Sequence, residues 1–377
     1  SIQRLIQSNY GGSNILKILY ISPENTVGTM SLWKKAHEMK GNQCDFITMF
    51  QNQNQSDSGI CLNLPLISSS QTYLRCRHWY YKRHRGDLGD YQEKEGYPPI
   101  WKPNSPLERL YFIIRDWIWQ FYIEKAIKKY NLFDYDIYHF EWGIDLYRDC
   151  RFAKKLSKNK KPIICTYHGQ DMRTRGVIKD MDKISDLNLT SEVDLLYKHP
   201  NIKYLFLPFE TENYKVKKTV SSPIRICHSP TNRYYKGSDD IIKICRDLDS
   251  CGEIEFILIE GKTQSEVFEI KKTCDIYIDQ IHNRGGWGYG MSSVEALSMG
   301  LVCLTELVDE YQKFIPGHPF IAVTKESLKK TLLGLSKNKK FLINKKNESR
   351  KWVKKHHGIS KVSKSLYSFY EEKSWIK

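Results

Sequence analysis

Short apolar runs alternate with segments of helical spacing along most of this chain. In the first half, residues 17–22 form a β-rich apolar run, residues 31–39 have helical spacing, and residues 44–48 form the next apolar run. The same alternation returns with a helix predicted over 149–156 and a strand over 162–167. Strands that alternate with helices form parallel sheets with helices on both faces. The first half of the chain therefore predicts a Rossmann-like domain.

A second alternating block follows. Its predicted strands cover 224–227, 254–259, 276–278 and 301–305. Two such blocks predict an α/β protein with two Rossmann-like domains that face each other across a cleft, where ligands bind at the carboxyl ends of the strands. We place the N-terminal domain at 1–208 and the C-terminal domain at 209–360, and we expect the amphipathic helix over 361–377 to complete the N-terminal domain.

The alternating pattern fails between residues 71 and 106. This segment contains a basic and aromatic run at 75–85, followed by Gly, Asp and Pro turns, so we expect an insertion or a long functional loop. The next segment, Leu107–Tyr130, has helical spacing and is dense in Trp, Tyr, Phe and Ile. Core packing explains most such helices, and a face that touches a membrane is the alternative. The whole region 71–135 is where we expect acceptor specificity to reside.

The composition is that of a globular protein. The chain has 377 residues, of which 40% are hydrophobic and 13% aromatic, which suffices for two packed cores. No apolar run is long enough to span a membrane, and residues 1–14 lack the apolar core of a signal peptide. Ten scattered cysteines without paired spacing indicate reduced thiols. We therefore expect a cytoplasmic protein, with peripheral membrane association as a further expectation.

The formal net charge of +16 indicates an anionic partner. Nucleotide phosphates, an anionic membrane surface, a lipid diphosphate and nucleic acid are the candidates. The Lys-rich stretch 337–361 carries much of the excess and predicts a basic surface patch suited to a peripheral membrane contact. No DNA-reading motif is found, so nucleic acid is not the expected partner. The oligomeric state is not encoded in any recognisable pattern.

A glycine-rich loop at 285–290 follows the apolar run 275–279 and leads into a predicted helix. Strand, glycine loop and helix in this order build an anion site, because the helix N-terminus offers unpaired N–H groups. We expect the N–H groups from Gly290 through Met291 to Ser292 to face a phosphate, with Ser292 or the serine after it capping the helix. Glu295, about one turn further on, is placed to accept hydrogen bonds from sugar or ribose hydroxyls.

Residues 226–237 and 275–300 resemble the donor domain of GT-B glycosyltransferases, and most of all family 4, also called glycosyl transferases group 1. The resemblance implies that Arg233 and Lys236 hold the nucleotide diphosphate and that Glu295 binds ribose. A subset of that family, with Asp-Gln before the glycine loop, is the most similar to this chain. The sequence departs from the usual pattern at Trp287, which stands where the family has the first of two glutamates.

Two segments of the N-terminal half extend the resemblance. The loop Asn25-Thr-Val-Gly-Thr29 resembles the family's loop beside the donor phosphate, with Gly28 permitting close approach. The run 166–173 resembles a His-Gly-x-Asp-x-Arg motif. It implies that His168 faces the donor sugar, and that Asp171 and Arg173, together with Trp287, contact the sugar or the acceptor. By position alone, Lys262 is expected near the base.

The resemblance implies a retaining hexosyl- or pentosyltransferase. It would move a sugar from a UDP- or GDP-linked donor to a hydroxyl of a glycan or lipid-linked acceptor, in surface polysaccharide or glycolipid synthesis, without a metal or other cofactor. The implied catalytic residues are His168, Arg233, Lys236 and Glu295. Three alternatives stay open: a nucleotide-sugar epimerase or phosphorylase, a DNA-modifying sugar transferase, and an inactive sugar-binding relic, which the substitution by Trp287 favours.

Overall fold

The computed structural model describes residues 15–25, 28–51, 59–67, 70–85, 93–217 and 219–376, without the side chains of residues 71 and 85. The predicted absence of a signal peptide over 1–14 lies outside the described residues, as do residues 26 and 27 of the predicted phosphate loop. Within the described part, the chain forms two separate β-sheets, one of seven strands and one of five.

The N-terminal sheet is parallel throughout and has the strand order β3-β2-β1-β4-β5-β6-β7. Its strands are β1 Lys17–Ser22, β2 Gln43–Thr48, β3 Ile60–Cys61, β4 Ile137–Glu141, β5 Ile163–Tyr167, β6 Leu187–Thr190 and β7 Ile202–Tyr204. The central strands are buried because helices cover both faces of the sheet. The order changes direction beside β1 and β4, which creates a crevice at the carboxyl ends of these strands.

The C-terminal sheet is also parallel and has the order β12-β11-β10-β8-β9. Its strands are β8 Ile224–His228, β9 Ile254–Leu258, β10 Ile276–Ile278, β11 Val302–Thr305 and β12 Ile321–Ala322. Strands β8, β10 and β11 were predicted to within two residues at each end. Their buried runs make the core of this half.

Thirteen α-helices connect or follow the strands in the described part of the chain. They are α1 Thr29–Glu38, α2 Gln71–Arg85, α3 Pro106–Tyr130, α4 Arg151–Lys158, α5 Lys179–Ile184, α6 Arg233–Lys236, α7 Ser238–Ser250, α8 Gln264–Thr273, α9 Met291–Ser298, α10 Asp309–Phe314, α11 Lys325–Ser336, α12 Lys339–His357 and α13 Ile359–Glu372. The segment 71–106, expected to be an insertion or a long functional loop, contains the helix α2, which packs against α3, so residues 71–85 are not a loop. No described helix is long and apolar enough to cross a membrane.

The last helix, α13, packs against the N-terminal sheet. The Tyr367 hydroxyl lies 2.9 Å from Nδ1 of His37, and the Tyr370 hydroxyl lies 2.6 Å from Nε2 of His139. Both histidines are buried, and Tyr20 lies between them, stacked on the His139 ring. These contacts place the end of the chain beside β1 and β4, so the C-terminal segment contributes to the core of the N-terminal half.

The basic stretch 337–361, for which a basic surface patch is predicted, lies mostly in α12 and has both exposed lysines and buried residues. Lys346 is buried and pairs with Asp275 at 3.0 Å, while Trp352 and His357 belong to the core. Arg350 donates hydrogen bonds to two backbone carbonyl groups. These residues face inward because α12 covers the C-terminal sheet, and only the outer lysines of the stretch reach solvent.

Candidate active site

Lys236 anchors the glycine loop. It is the last residue of α6, and its ammonium group donates hydrogen bonds to Asp279 at 2.5 Å and to Gln280 at 3.3 Å. Gln280 in turn donates to the carbonyl oxygens of Gly286 at 3.4 Å and Gly288 at 2.6 Å. An ammonium group has three N–H donors, so these two bonds fix its position and leave a third donor for a ligand.

Asp279 is the buried counter-ion of this arrangement. Burial raises the pKa of its carboxyl group, but the charge of Lys236 and hydrogen bonds from Lys236, Ser293 and the Gly290 N–H outweigh burial and bring the pKa below its usual value. The Ser293 hydroxyl donates over 2.7 Å. The carboxylate therefore stays charged and ties α6 to the start of α9.

The start of α9 differs from the sequence prediction. The helix begins at Met291 with Gly290 as its N-cap residue, so the predicted cap by Ser292 or Ser293 is wrong. Ser293 lies in the first turn, where its hydroxyl is bonded to Asp279. No side chain caps α9, and its first N–H groups lie where the glycine loop meets the helix.

Glu295 is buried and paired with Lys271, a residue that the sequence analysis did not single out. The Lys271 ammonium donates to Oε2 of Glu295 over 2.7 Å and to the Ser292 hydroxyl over 2.9 Å. It also lies 4.6 Å from the centre of the Tyr277 ring. The pair holds the Glu295 carboxylate beside the first turn of α9, with one oxygen, Oε2, occupied by lysine.

Arg233 and Lys262 lie at the surface. The Arg233 guanidinium forms two hydrogen bonds to the carboxylate of Glu260, at 2.7 and 2.6 Å, and a looser contact to Asp239. Lys262 is 3.9 Å from Glu266 and about half exposed. Arg233 is thus committed to an exposed ion pair at the edge of the site, whereas Lys236 is enclosed.

His168 lies in the N-terminal half, directly after the last residue of β5. Its Nε2 is hydrogen-bonded to the buried carboxylate of Glu141, which ends β4. The Asp171 carboxylate accepts N–H bonds from His168, Gly169 and Met172 at 2.8 to 2.9 Å. Asp171 therefore shapes the loop that carries His168, and Nδ1 is the ring nitrogen left for a ligand.

The environment of His168 favours its protonated form. Burial lowers the pKa of the imidazole, but the hydrogen bond and charge of Glu141, with the charges of Asp171 and Glu192, raise it above the usual value. One carboxylate oxygen of Glu141, Oε1, is buried without a hydrogen-bond partner among the described residues. A strand-end carboxylate beside a strand-end histidine is the signal that could have identified Glu141 from sequence.

Arg173 joins the two halves of the molecule. It is buried and donates to Asp194 through Nε and Nη2, both at 2.6 Å, and to Glu192 at 2.7 Å. Its Nη1 donates to the carbonyl oxygen of Gly285 over 3.1 Å. These partners occupy the guanidinium, so its observed role is to hold the glycine loop against the N-terminal half.

Trp287 packs between the halves as well. Its ring lies 5.5 Å from that of Tyr197, which belongs to the N-terminal half, and its carbonyl accepts the Val308 N–H at 3.2 Å. Gly28 immediately precedes α1, at the carboxyl end of β1. Trp287 thus makes an aromatic contact at the position where the sequence resemblance would lead one to expect a carboxylate.

A cavity of about 220 Å³ lies in the cleft between the halves. Gln170 and Glu192 line it from the N-terminal side, and Lys236, Gly290 and other residues of the glycine loop line it from the C-terminal side. The described walls therefore combine a positioned ammonium group, backbone of the glycine loop and a carboxylate.

No family model and no curated protein matches this sequence. Solved structures do match in fold. HepE from Anabaena, solved in complex with UDP and glucose, is 9% identical, with 95% of this chain and 100% of that chain covered and a TM-score of 0.56. Sucrose-phosphate synthase from Thermosynechococcus elongatus is 10% identical, with 95% of this chain and 99% of that chain covered and a TM-score of 0.58. A variant of S. aureus TarM, solved with Fondaparinux, alpha-GlcNAc-glycerol and UDP, is 10% identical, with 94% of this chain and 100% of that chain covered and a TM-score of 0.58. The chain has the GT-B fold.

At these identities the likeness shows the fold alone, and it confirms the predicted pair of Rossmann-like domains. Within the GT-B cleft, Lys236 and Gly290 line the cavity, and Arg173 contacts its wall at Glu192. Met291, Ser292 and Glu295 lie in the first turns of α9. Sequence reasoning missed Glu141, Gln170, Glu192, Asp194 and Lys271. An isolated charged residue on a predicted strand or helix gives no sign of the partner that the fold brings to it.

Proposed function

We propose that this protein is a glycosyltransferase that moves a sugar from a nucleotide diphosphate sugar to a hydroxyl acceptor. The observation that carries the proposal is the cleft cavity, where the Lys236 ammonium and the glycine loop before α9 converge. Solved proteins of the same fold include complexes with UDP. We further propose membership of the retaining family 4, in the subset with Asp279-Gln280 before the glycine loop.

On the donor side, we assign the leaving diphosphate to Lys236 and to the N–H groups at the start of α9. Negative charge grows on the leaving oxygen in the transition state, so fixed donors there lower the barrier. Arg233 is exposed and its charge is paired with Glu260, so we assign it a smaller contribution to diphosphate binding than Lys236. Because these cations offset the diphosphate charge, we propose that transfer needs no metal.

Glu295 is assigned to the ribose. Its Oε2 is held by Lys271, and we propose that Oε1 accepts hydrogen bonds from ribose hydroxyls. The base, UDP- or GDP-linked, and the class of sugar, hexosyl or pentosyl, belong to the same proposal. Trp287 and Arg173 act through packing and through the position of the glycine loop.

On the acceptor side, His168 faces the donor sugar. Because Glu141 holds its Nε2 and raises its pKa, we propose that the imidazole donates a hydrogen bond from Nδ1 to the sugar or to the departing phosphate. Asp171 supports this residue through the backbone of its loop. A front-face retaining reaction requires no protein nucleophile, and this site is proposed to work without one.

We propose that the protein works in the cytoplasm at an anionic membrane surface, on a glycan or lipid-linked acceptor. The surface that supports the proposal best is on α3. There, an exposed stripe spaced three and four residues apart consists of Leu107, Leu110, Ile114, Trp117 and Phe121, with exposures between 46% and 74%. Lys125 and Lys128 continue the stripe, so apolar and basic side chains share one face, as lipid-binding helices require.

The test is to incubate the protein with UDP- and GDP-sugars, with and without alkyl-linked hydroxyl acceptors, in the presence and absence of a chelator. Acceptor-dependent release of nucleotide diphosphate that survives chelation supports the proposal. Isomerised donor without acceptor would indicate an epimerase. Binding of the donor without turnover would indicate an inactive relic.

A further inference from the structure

A second and larger cavity lies in the N-terminal half. Its volume is about 640 Å³, and it opens between helices α2 and α3 and the carboxyl ends of β1 and β4. Its walls are mainly apolar and aromatic, with Phe50, Tyr80, Tyr111 and Phe112 among the lining residues. A cavity of this size suits an apolar ligand or chain rather than a few water molecules.

Two arginine side chains that line this cavity each form a cation–π contact with the Phe112 ring. The Arg115 guanidinium lies 4.8 Å and the Arg148 guanidinium 4.1 Å from the ring centre. The Asp116 carboxylate accepts hydrogen bonds from the Arg115 side chain at 2.9 and 2.5 Å. From Arg148 it accepts only the backbone N–H. The side-chain hydrogen bonds of Asp116 therefore go to Arg115, and the Arg148 guanidinium forms no hydrogen bond with a carboxylate among the described residues, although Glu24 and Glu108 also line the cavity.

The Arg148 guanidinium has buried donors without acceptors. Its Nε and Nη1 atoms are inaccessible to solvent and have no hydrogen-bond partner among the described residues. Its faces are covered by aromatic rings, at 4.1 Å from Phe112 and 4.8 Å from Trp101. Burial and, after it, the charges of Arg115 and Arg175 lower the pKa of Arg148 to about 9, against a smaller opposing effect of the Asp116 charge. Unsatisfied buried donors on a cation are costly, so they point to an anionic group that would occupy the cavity.

Residues of the cavity wall adjoin two other features of the molecule. Leu107 and Tyr111 belong both to its wall and to the exposed apolar side of α3. At the other end, its wall includes Trp142, whose chain neighbour Glu141 is hydrogen-bonded to His168. A ligand in the cavity would thus reach from the apolar surface of α3 toward the cleft.

We propose that this cavity binds the acceptor, and that the acceptor is an amphiphilic anion with a long apolar chain and a phosphate or diphosphate group. The aromatic walls take the chain. The Arg148 guanidinium takes the phosphate oxygens, for which it must turn out from between the Phe112 and Trp101 rings. The hydroxyl that receives the sugar then lies beyond the phosphate, toward His168. This inference rests on the proposed glycosyl transfer and specifies its acceptor class.

The experiment is calorimetric titration with decyl phosphate, decanol and inorganic phosphate, each as monomers without vesicles. The wild type should bind decyl phosphate at least about tenfold more tightly than decanol, because one charged hydrogen bond is worth that much. Inorganic phosphate alone should bind weakly. The variant Arg148→Met should lose the preference for the phosphate. Arg151→Met, an exposed arginine three positions along the chain, should keep it. Equal binding of decyl phosphate and decanol by the wild type would overturn the proposal.

A series of alkyl phosphates of increasing length tests the cavity without any variant. Affinity should rise about fourfold for each added methylene group until the cavity is full. Affinity that is independent of chain length would contradict the inference. UDP is titrated in parallel. If decyl phosphate binds as described but UDP does not, the donor site fails and the amphiphile site stands. If UDP binds and the preference for decyl phosphate is absent, only this inference fails.

Discussion

The guanidinium of Arg173 donates a hydrogen bond to the carbonyl oxygen of Gly285 over 3.1 Å, and so ties the N-terminal half to the glycine loop. The carboxylates of Asp194 and Glu192 accept hydrogen bonds from the same guanidinium. The approach is close: a Cβ atom on Gly286, at φ +143°, would lie 2.9 Å from the Glu192 carboxylate and 3.0 Å from Arg173. Glycine is required there because a side chain would separate the two halves.

Replacement of Arg173 by Met should destabilise the fold strongly. The change leaves Asp194 buried without its cation, and losing one partner of a buried pair costs about 3–5 kcal/mol. Urea unfolding monitored by circular dichroism measures the loss. Arg151→Met removes an exposed ion pair and should change the unfolding free energy by less than about 1 kcal/mol. Similar small losses for both variants would show that the Arg173 contacts carry little stability.

The Lys271–Glu295 pair should behave as a coupled unit. Lys271→Met or Glu295→Gln alone should lower the unfolding free energy by about 3 kcal/mol, because each leaves a partner without its counter-charge in a buried site. The double variant should lose less than the sum of the two. A double-mutant cycle from thermal or urea unfolding gives this coupling energy. Lys272→Met, at the adjacent exposed pair, is the control and should change little. Additive losses in the cycle would refute the pairing.

Acid should weaken the packing of α13 through its buried histidines. Burial lowers the pKa of His37 to about 3, and that of His139 falls well below its usual value. Both are neutral in the fold, so the unfolded chain binds more protons. Their contribution is complete above the unfolded pKa of about 6.5 and is lost as the pH falls toward the folded value.

Between pH 6 and 4, His37 alone should reduce the unfolding free energy by about 1.4 kcal/mol per pH unit. Unfolding free energies from urea titrations across this range, for the wild type and for His37→Gln, should differ in their slope against pH by that amount. His84→Gln, at an exposed position of α2, should leave the slope unchanged. An identical slope in the wild type and His37→Gln would mean that His37 is not neutral in the fold.

His168 should titrate above the usual histidine range because of Glu141. Without the carboxylate charge, burial dominates, so Glu141→Gln should move the pKa of His168 downward. Nitrogen-15 NMR of labelled histidine follows this titration directly. Glu93→Gln, an exposed carboxylate paired with Lys198, is the control. An unchanged His168 titration in Glu141→Gln would remove the basis for its proposed role as a hydrogen-bond donor.

The sequence predicted the regular elements where apolar periodicity is strong. The helix predicted over 107–130 is α3 at Pro106–Tyr130, and the strand predicted over 162–167 is β5 at Ile163–Tyr167. The helix α2 was missed because its basic and aromatic run lacks an apolar stripe. It is held instead by contacts to the start of α3, such as Tyr80 with Ser105 at 2.7 Å. The helix propensities of the residues in α2 do not reveal these tertiary contacts.

The candidate site was predictable where a motif fixes backbone and charge together. The resemblance implied that Lys236 and the glycine loop serve one site, and the fold places both at one cavity. Lys271 could not be predicted, because a lysine on a helix is exposed in most proteins. Trp352 and Lys346 were misjudged for the converse reason, since composition cannot tell which face of a basic helix is buried.

Titration of UDP and GDP into the wild type and Lys236→Ala tests the central claim most directly. The wild type should bind one of these nucleotides, and Lys236→Ala should bind it about 100-fold more weakly, since a charged hydrogen bond in an enclosed site is worth about 3 kcal/mol. Lys340→Ala, at an exposed position of α12 in the same half, should bind like the wild type. Failure of the wild type to bind either nucleotide, or equal affinity in Lys236→Ala, would contradict a nucleotide-sugar site in this cleft.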